Sequence, residues 1–371
     1  AYLSPLPQRV EAAGHRGLER KRRPWEITPR DFFQPLETVR TRFAHLLDSS
    51  EPERVALLPS VSYGMAVVAR NTPLAPGQEI LLLEEQFPSN FYVWKKLADL
   101  ENARLRVISP PEEGPARGRR WNERILESIG PKTALVTLPH IHWADGTRFD
   151  LEAIRERSRE VGALLVIDGS QSIGAMPFSV RQIQPDAVIC VAYKWLLGPY
   201  SSALGWFGPA FDEGQPIEES WMNRLGSEDF QRLVHYQERY RPQAWRYNVG
   251  EASNFIAIPM IAEALAMILE WSVPAIADYC RRLTQPAAEW LAQRGCRVEE
   301  PSARAPHLFG VRFPEHFDSA AARAALQAAG IFVSWRGRAL RISPYLYNRS
   351  EDLEKLLDVL ESSLKPRPAQ P

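Results

Sequence analysis

Cysteine is scarce in this chain: Cys190, Cys280 and Cys296 are the only three in 371 residues, and none stands in a CxxC or other ligand spacing. So few thiols argue against structural zinc and fit a reducing cytoplasm. Net charge is missing too. Lys+Arg and Asp+Glu balance at 45 each, so no global field points to nucleic acid or a membrane as partner. Long apolar runs are also lacking. The most apolar helix candidate, FIAIPMIAEALAMILEW from Phe255, is interrupted by Pro259 and Glu263 and reads as a core helix. The opening residues, AYLSPLPQRVEAAG, hold no long apolar stretch, so no signal peptide is expected. No internal repeat occurs at a solenoid-like period.

What remains is an ordinary globular composition, 45% apolar and 24% charged, in a chain long enough for two domains and a substantial core. After an arm rich in charge and proline (GLERKRRPWEITPRDFF), which reads as irregular, a helix is expected around Leu36 to Leu47. Strands and helices then alternate. RVALL leads into the helical SVSYGMAVVARN, EILLLEE into FPSN and a helix, and ALVTL ends at Pro139. In FDLEAIRERSREVGA, Asp150 is placed to cap a helix and Gly162 to end it. LLVI and AVICVA follow as strands. This alternation predicts an α/β fold with a mostly parallel sheet, whose ligands bind at the carboxyl ends of the strands. Beyond Pro259 long helices precede strands near HLFGVRF and ALRISP, which predicts a smaller α+β domain. The expected division is an arm over 1–34, a large domain over 35–258 and a small domain over 259–371. The tail KPRPAQP is expected to be disordered.

Two polar residues interrupt this pattern. Asp168 ends the apolar run of VIDGSQSIG, and Lys194 follows that of CVAYKWLLG. If their strands are neighbours, a carboxylate and an amine share one rim. They then form either a plain ion pair or the two protein groups that pyridoxal phosphate requires: a lysine for its aldehyde and a carboxylate for its pyridine nitrogen. Further residues bear on the choice, each with a plainer reading beside it. Ser62, in the PSVS turn, suits a phosphate or an ordinary helix cap. Phe87 in QFPSN suits a pyridine ring face or a core. Gln171 suits a phenolic oxygen or a turn. Arg341 in LRISPYLYN suits a substrate carboxylate or the surface. His140, His142 and Asp145 raise a metal site, with histidines alternating as on one strand face, but the stretch is equally accounted for as pocket wall, and no metal is expected. The basic run HRGLERKRR reads as a solvated or dimer-facing arm, and Cys190 as an inert core thiol.

From Phe32 to Asn348 the order and spacing of these pieces resemble the class V aminotransferase family of fold-type-I pyridoxal phosphate enzymes. That family also includes cysteine desulfurases, kynureninases and isopenicillin-N-epimerase-like proteins. DGSQSIG followed by YKWLLGP is the most specific part, with FPSN, HIHWADGT, RYNVGEASNF and RISPYLYN in support. The resemblance implies pyridoxal 5'-phosphate as cofactor, joined to Lys194 as a Schiff base. It implies Asp168 on the pyridine nitrogen, Gln171 on the phenolic oxygen, and Val61, Ser62 and Tyr193 on the phosphate. Phe87 stacks on the ring, Trp143 walls the pocket where the family carries asparagine, and Arg341 binds substrate. Asn254 belongs to a segment that reaches the partner's phosphate, so a homodimer is implied. Two features depart from the desulfurases. Val191, Ala192 and Tyr193 replace their Ser-Gly-His before the lysine, and GIFVSWRGRALR lacks their catalytic cysteine. These departures disfavour a persulfide-forming desulfurase, and transamination of an amino acid or related amine is the favoured activity. A C–S or β-lyase, an epimerase, a kynureninase-like hydrolase and a catalytically silent scaffold are the alternatives.

Overall fold

The structure is a computed structural model that describes residues 2–364, so the KPRPAQP tail lies outside the described residues. The chain runs through α1 (Gln8–Lys21), α2 (Pro29–Leu46), β1 (Val55–Leu58), α3 (Val61–Arg70), β2 (Glu79–Leu83), α4 (Tyr92–Glu101), β3 (Arg104–Ile108) and α5 (Arg117–Ser128). It continues with β4 (Thr133–Pro139), α6 (Leu151–Glu160), β5 (Leu164–Asp168), α7 (Val180–Ile183), β6 (Ala187–Val191), β7 (Ala203–Phe207) and α8 (Ala257–Trp271). The last elements are α9 (Val273–Gln293), β8 (Phe309–Val311), α10 (Ser319–Ala328), β9 (Ser334–Arg336), β10 (Ala339–Ile342) and α11 (Ser350–Leu364). Two compact units result. The first takes the chain up to Ser109 with Glu123–His140 and Asp150–Val273; the second takes Pro110–Asn122, Ile141–Phe149 and the chain from Pro274 onward.

In the first unit seven strands among the described residues form one sheet in the order β1-β7-β6-β5-β4-β2-β3. β7 runs antiparallel to both its neighbours and the rest are parallel, the α/β arrangement that strand–helix alternation predicts. β5 and β6 are direct neighbours, with Asp168 level with Ile189. Their five-residue runs, LLVID and AVICV, are buried almost throughout because helices cover both faces, so apolar residues do not alternate with polar ones. The helix signals act as expected. Asp150 accepts from the N–H of Ala153 at 3.1 Å to start α6, and Gly162 takes φ +74° just past its end.

The arm differs from its irregular reading, because α1 and the start of α2 are helical. Its charges conceal a face of Val10, Ala13, Gly14 and Gly17 that lies on α8. A side chain at Gly17 would come within 2.2 Å of the Phe255 carbonyl oxygen, so the close approach requires glycine. Arg9 ties α1 to α8 through Glu263 and Glu270, both at 2.7 Å. α8 itself is the core helix expected, burying Ile258, Ile261, Leu265 and Ile268. Among the described residues no single helix is long and apolar enough to cross a membrane.

The second unit is α+β. Its sheet has the order β8-β10-β9, with Arg341 level with Gly310 on one side and Ser334 on the other. Leu291, Phe309, Leu340, Leu356 and Leu360 form its core, fully or almost fully buried, each contributing roughly 1.5–3 kcal/mol by leaving water.

Candidate active site

Both anomalous polar residues of the first unit fall at the carboxyl ends of adjacent strands. Asp168 is the last residue of β5, and Lys194 follows β6 by three residues. Asp168 is buried, and its Oδ1 accepts from the Ser170 N–H at 3.0 Å. Burial of a carboxylate is costly unless a cation or donors face it, a requirement that a protonated pyridine nitrogen meets. Lys194 Nζ lies 5.6 Å from the centre of the Phe87 ring, which is 42% exposed and so available to cover a planar ligand.

The segments that carry these residues are bound to each other. The Gly169 N–H donates to Ile189 at 2.8 Å, and the Val191 N–H donates to Ser170 Oγ at 3.3 Å. Trp195 Nε1 donates to Gln171 Oε1 at 3.0 Å, which orients that amide so that Nε2 is its donor end. Gly174, at φ +94°, sits so close that a Cβ there would be 2.6 Å from the Trp195 carbonyl oxygen. Trp195, Ser170 and Gly174 thus position the site, although sequence reasoning singled out none of them. All three lie inside the quoted motifs, which is the signal that could have identified them.

At the start of α3, Ser60 is the cap, accepting from the Tyr63 N–H at 3.1 Å, and its hydroxyl lies 2.9 Å from that of Ser62. Val61 and Ser62 occupy the first helical turn, whose N–H groups have no intrahelical acceptor and face anions favourably. Tyr193 packs on Tyr200, with ring centres 4.5 Å apart, and burial raises its phenol pKa, so its hydroxyl remains a donor at neutral pH. Asn254 is exposed; its Oδ1 accepts from the N–H groups of Ile256 and Ala257 at 3.0 and 2.8 Å, in the turn that leads into α8. Cys190 is buried, and burial holds its thiol well above the usual range. A groove of about 840 Å³ lies at the opposite strand ends, near Asp186 and Trp206, where Arg155–Asp186 and Arg181–Asp48 are already paired at 2.7 and 2.8 Å.

In the second unit Arg341 is buried on β10. Nε donates to Ser334 Oγ at 3.0 Å and Nη1 to the Trp143 carbonyl at 2.6 Å, while buried Nη2 has no hydrogen-bond partner among the described residues. Burial, and then Arg336, lower its pKa to about 10, so it stays cationic at neutral pH. The Arg336 guanidinium lies 5.5 Å from the Trp143 ring. The histidines do not share a strand face, because β4 ends at Pro139 and the chain passes from one unit to the other. His140 packs on Phe178, whereas His142 packs on Trp121 and lies 3.0 Å from Asp145. Among the described residues no three His, Cys, Asp or Glu side chains cluster as a metal site would.

A family model described as aminotransferase class-V matches residues 12–356. By sequence the chain is 25% identical over 331 residues to the uncharacterized aminotransferase YcbU of Bacillus subtilis (strain 168), covering 89% of this chain and 84% of that one. By structure it is similar to the cysteine desulfurase of Thermococcus onnurineus NA1, with TM-score 0.80, 19% identity, and 97% and 92% of the two chains covered. It is also similar to the cystine C–S lyase C-DES in complex with its product cysteine persulfide, with TM-score 0.81, 16% identity, and 96% and 94% covered. A mutant of C-DES holds glycine covalently linked to its pyridoxal phosphate cofactor. These structural likenesses show the fold, which is that of the fold-type-I enzymes.

Proposed function

The chain belongs to the class-V aminotransferase family, and from that premise we propose that it is a pyridoxal 5'-phosphate-dependent aminotransferase acting on an α-amino acid. The observation that carries this reading is the placement of Asp168 and Lys194 on one rim by the pairing of β5 with β6. When bound, the cofactor supplies an aldehyde for an amine and a pyridine ring that withdraws electrons from it. The chain's own residues do the rest. Asp168 would hold the proton on the pyridine nitrogen, Nε2 of Gln171 would donate to the phenolic oxygen, and Phe87 would cover a ring face. Val61, Ser62 and Tyr193 would take the phosphate. Lys194 would carry the cofactor until the substrate's amine displaces it, and its freed Nζ would then be the base that takes the proton from the substrate's Cα and delivers it again; where it is delivered would separate transamination from epimerisation.

Arg341 is our choice for the substrate carboxylate. A buried guanidinium with Nη2 unsatisfied and with Nε and Nη1 held by Ser334 and Trp143 suits a planar anion at its end. Trp143 walls the same pocket. A homodimer belongs to this reading, in which exposed Asn254 turns its segment toward the partner's phosphate.

A persulfide-forming desulfurase has little support here. GIFVSWRGRALR has no cysteine, and all three thiols of the chain are buried, with burial raising Cys280 to about 12 and Cys296 to about 11. A C–S lyase is the second reading, favoured by the likeness to C-DES, because elimination onto a small-molecule product requires no protein thiol.

The deciding experiment is the visible spectrum of the purified protein with a panel of amino acids and no keto acid. Bleaching of the yellow colour with stoichiometric keto acid is the expected result. Persistent yellow with release of sulfide moves the assignment to a lyase, and appearance of the opposite enantiomer moves it to an epimerase. Protein that stays colourless when given pyridoxal phosphate refutes the reading.

A further inference from the structure

We propose that Asp145 is a positioning residue for substrate binding: from inside the second unit it fixes the backbone carbonyl that orients Arg341. This inference rests on Arg341 being the carboxylate site.

Asp145 is buried two residues after Trp143, whose carbonyl accepts from Arg341 Nη1. Its own carbonyl accepts from the Gly310 N–H at 2.7 Å, and Gly310 is the residue level with Arg341 across β8 and β10. A Cβ on Gly310 would come within 2.7 Å of the Asp145 Cβ, so glycine lets the loop lie directly on that strand pair. The loop therefore meets the Arg341 strand pair at two points, one on each side of Ala144.

The side chain of Asp145 holds the loop in that attitude. Oδ1 accepts from the Thr147 N–H at 3.1 Å and hydroxyl at 2.8 Å and lies 3.0 Å from His142 Nδ1. Oδ2 accepts from Arg117 at 3.0 Å and Arg312 at 2.7 Å. Both oxygens are thus fully used within the unit. Glu113 and Glu299 complete the network, Glu113 2.8 Å from Arg312 and Glu299 3.9 Å from Arg117. Charge-assisted bonds in a dry interior are directional and strong, so the turn cannot rotate while the carboxylate is ionised. The Trp143 carbonyl then keeps one arginine donor occupied and sets the plane in which the others face a ligand. Asp145→Asn keeps the shape but removes the charge and turns an amide donor toward groups that also donate, so the turn loosens and the carboxylate grip weakens, while groups that recognise the rest of the substrate are unaffected.

The test uses the holoenzyme and two ligands: a donor amino acid and the primary amine made by removing its carboxyl group. Dissociation constants come from the cofactor's spectral shift, so the result does not depend on which reaction follows. For Asp145→Asn the amino acid should bind about tenfold more weakly, the equivalent of one charge-assisted hydrogen bond, while the amine binds as before. Arg341→Ala should show the same selectivity with a larger loss. Unchanged amino-acid binding in Asp145→Asn overturns the positioning role, and so does an equal loss for amine and amino acid. Arg341→Ala that binds the amino acid normally overturns the carboxylate reading itself, which separates the two failures. If Asp145→Asn does not fold, Thr147→Val removes a single bond to Oδ1 without touching the charge, and the same comparison decides with a smaller shift in the same direction.

Discussion

Gly174→Ala tests whether the two motif segments are held together by direct contact. A methyl group at this position would lie 2.6 Å from the Trp195 carbonyl oxygen, 2.9 Å from its carbon and 3.0 Å from a Leu196 methyl. Relief requires one backbone segment to retreat by at least ~0.5 Å. The positive φ of +94° adds its own penalty. Gly162 provides the control, since at φ +74° a Cβ there meets nothing within 4 Å. Gly162→Ala should therefore lose only the left-handed term, about 1–2 kcal/mol, partly offset by the stiffer unfolded chain. Gly174→Ala should lose an additional ~1–3 kcal/mol from overpacking, and the unfolded-state term cancels in the comparison. Chemical denaturation of both variants measures the difference, and titration with pyridoxal phosphate measures the consequence at Lys194, next to the displaced carbonyl. Cofactor affinity should weaken about tenfold in Gly174→Ala, the effect of ~1.4 kcal/mol of strain, and remain unchanged in Gly162→Ala. Equal stabilities for the two variants, or equal cofactor affinities, would refute the reasoning.

Other expectations follow from the buried charges and thiols. Arg40 is fully buried over the Trp245 ring at 3.7 Å, its Nε and Nη1 have no partner among the described residues, and burial lowers its pKa to about 9. Arg40→Met should raise the denaturation midpoint, with a gain of about 1–4 kcal/mol before the lost cation–π contact and the lost Nη2 hydrogen bond to Asn248 Oδ1 are counted; a lower midpoint would contradict this. Glu299 is raised above its ordinary 4.5 by burial first and then by Asp145, so the folded state favours the protonated acid and loses stability as pH rises above 4.5. Glu299→Gln keeps an acceptor for the Gly118 N–H, so melting temperatures from pH 4 to 8 should show the wild type falling relative to the variant; parallel curves would count against it. Finally, thiol reagents at pH 8 should label none of Cys190, Cys280 and Cys296 in the folded protein and all three after denaturation, because each is buried with a raised pKa.

The parts legible in the sequence are those decided locally. Asp150 caps α6 by accepting from the Ala153 N–H, and the apolar runs before Asp168 and Lys194 read as strands because they are short, rich in valine and isoleucine, and bounded by turn residues. Features decided by distant partners were harder to read. The face of α1 consists of glycine and alanine, which have value only against α8. β3 is an edge strand whose RLRVI is mostly exposed, and α5 opens on RGRRW, so neither shows an uninterrupted apolar signal. Asp145 resembles a metal ligand beside two histidines until Arg117 and Arg312 arrive from distant parts of the chain. Within the site, the Asp168–Lys194 rim was readable from strand ends. The clamp of Trp195 on Gln171 was not, because no pattern indicates which turn amide an indole will reach.

The ladder between β5 and β6 also carries a constraint of parity. Side chains alternate faces along a strand, so sliding β5 by one residue against β6 would leave both strands paired and buried yet turn Asp168 away from the face it now occupies. The fold would survive an odd shift but the chemistry would not. Insertions in the excursion between Gly174 and Asp186 would leave the count along each strand untouched, although they would disturb its own packing through Phe178 and Val180. Insertions within the five residues of either strand would change odd to even and separate acid from amine in a protein that still looked native.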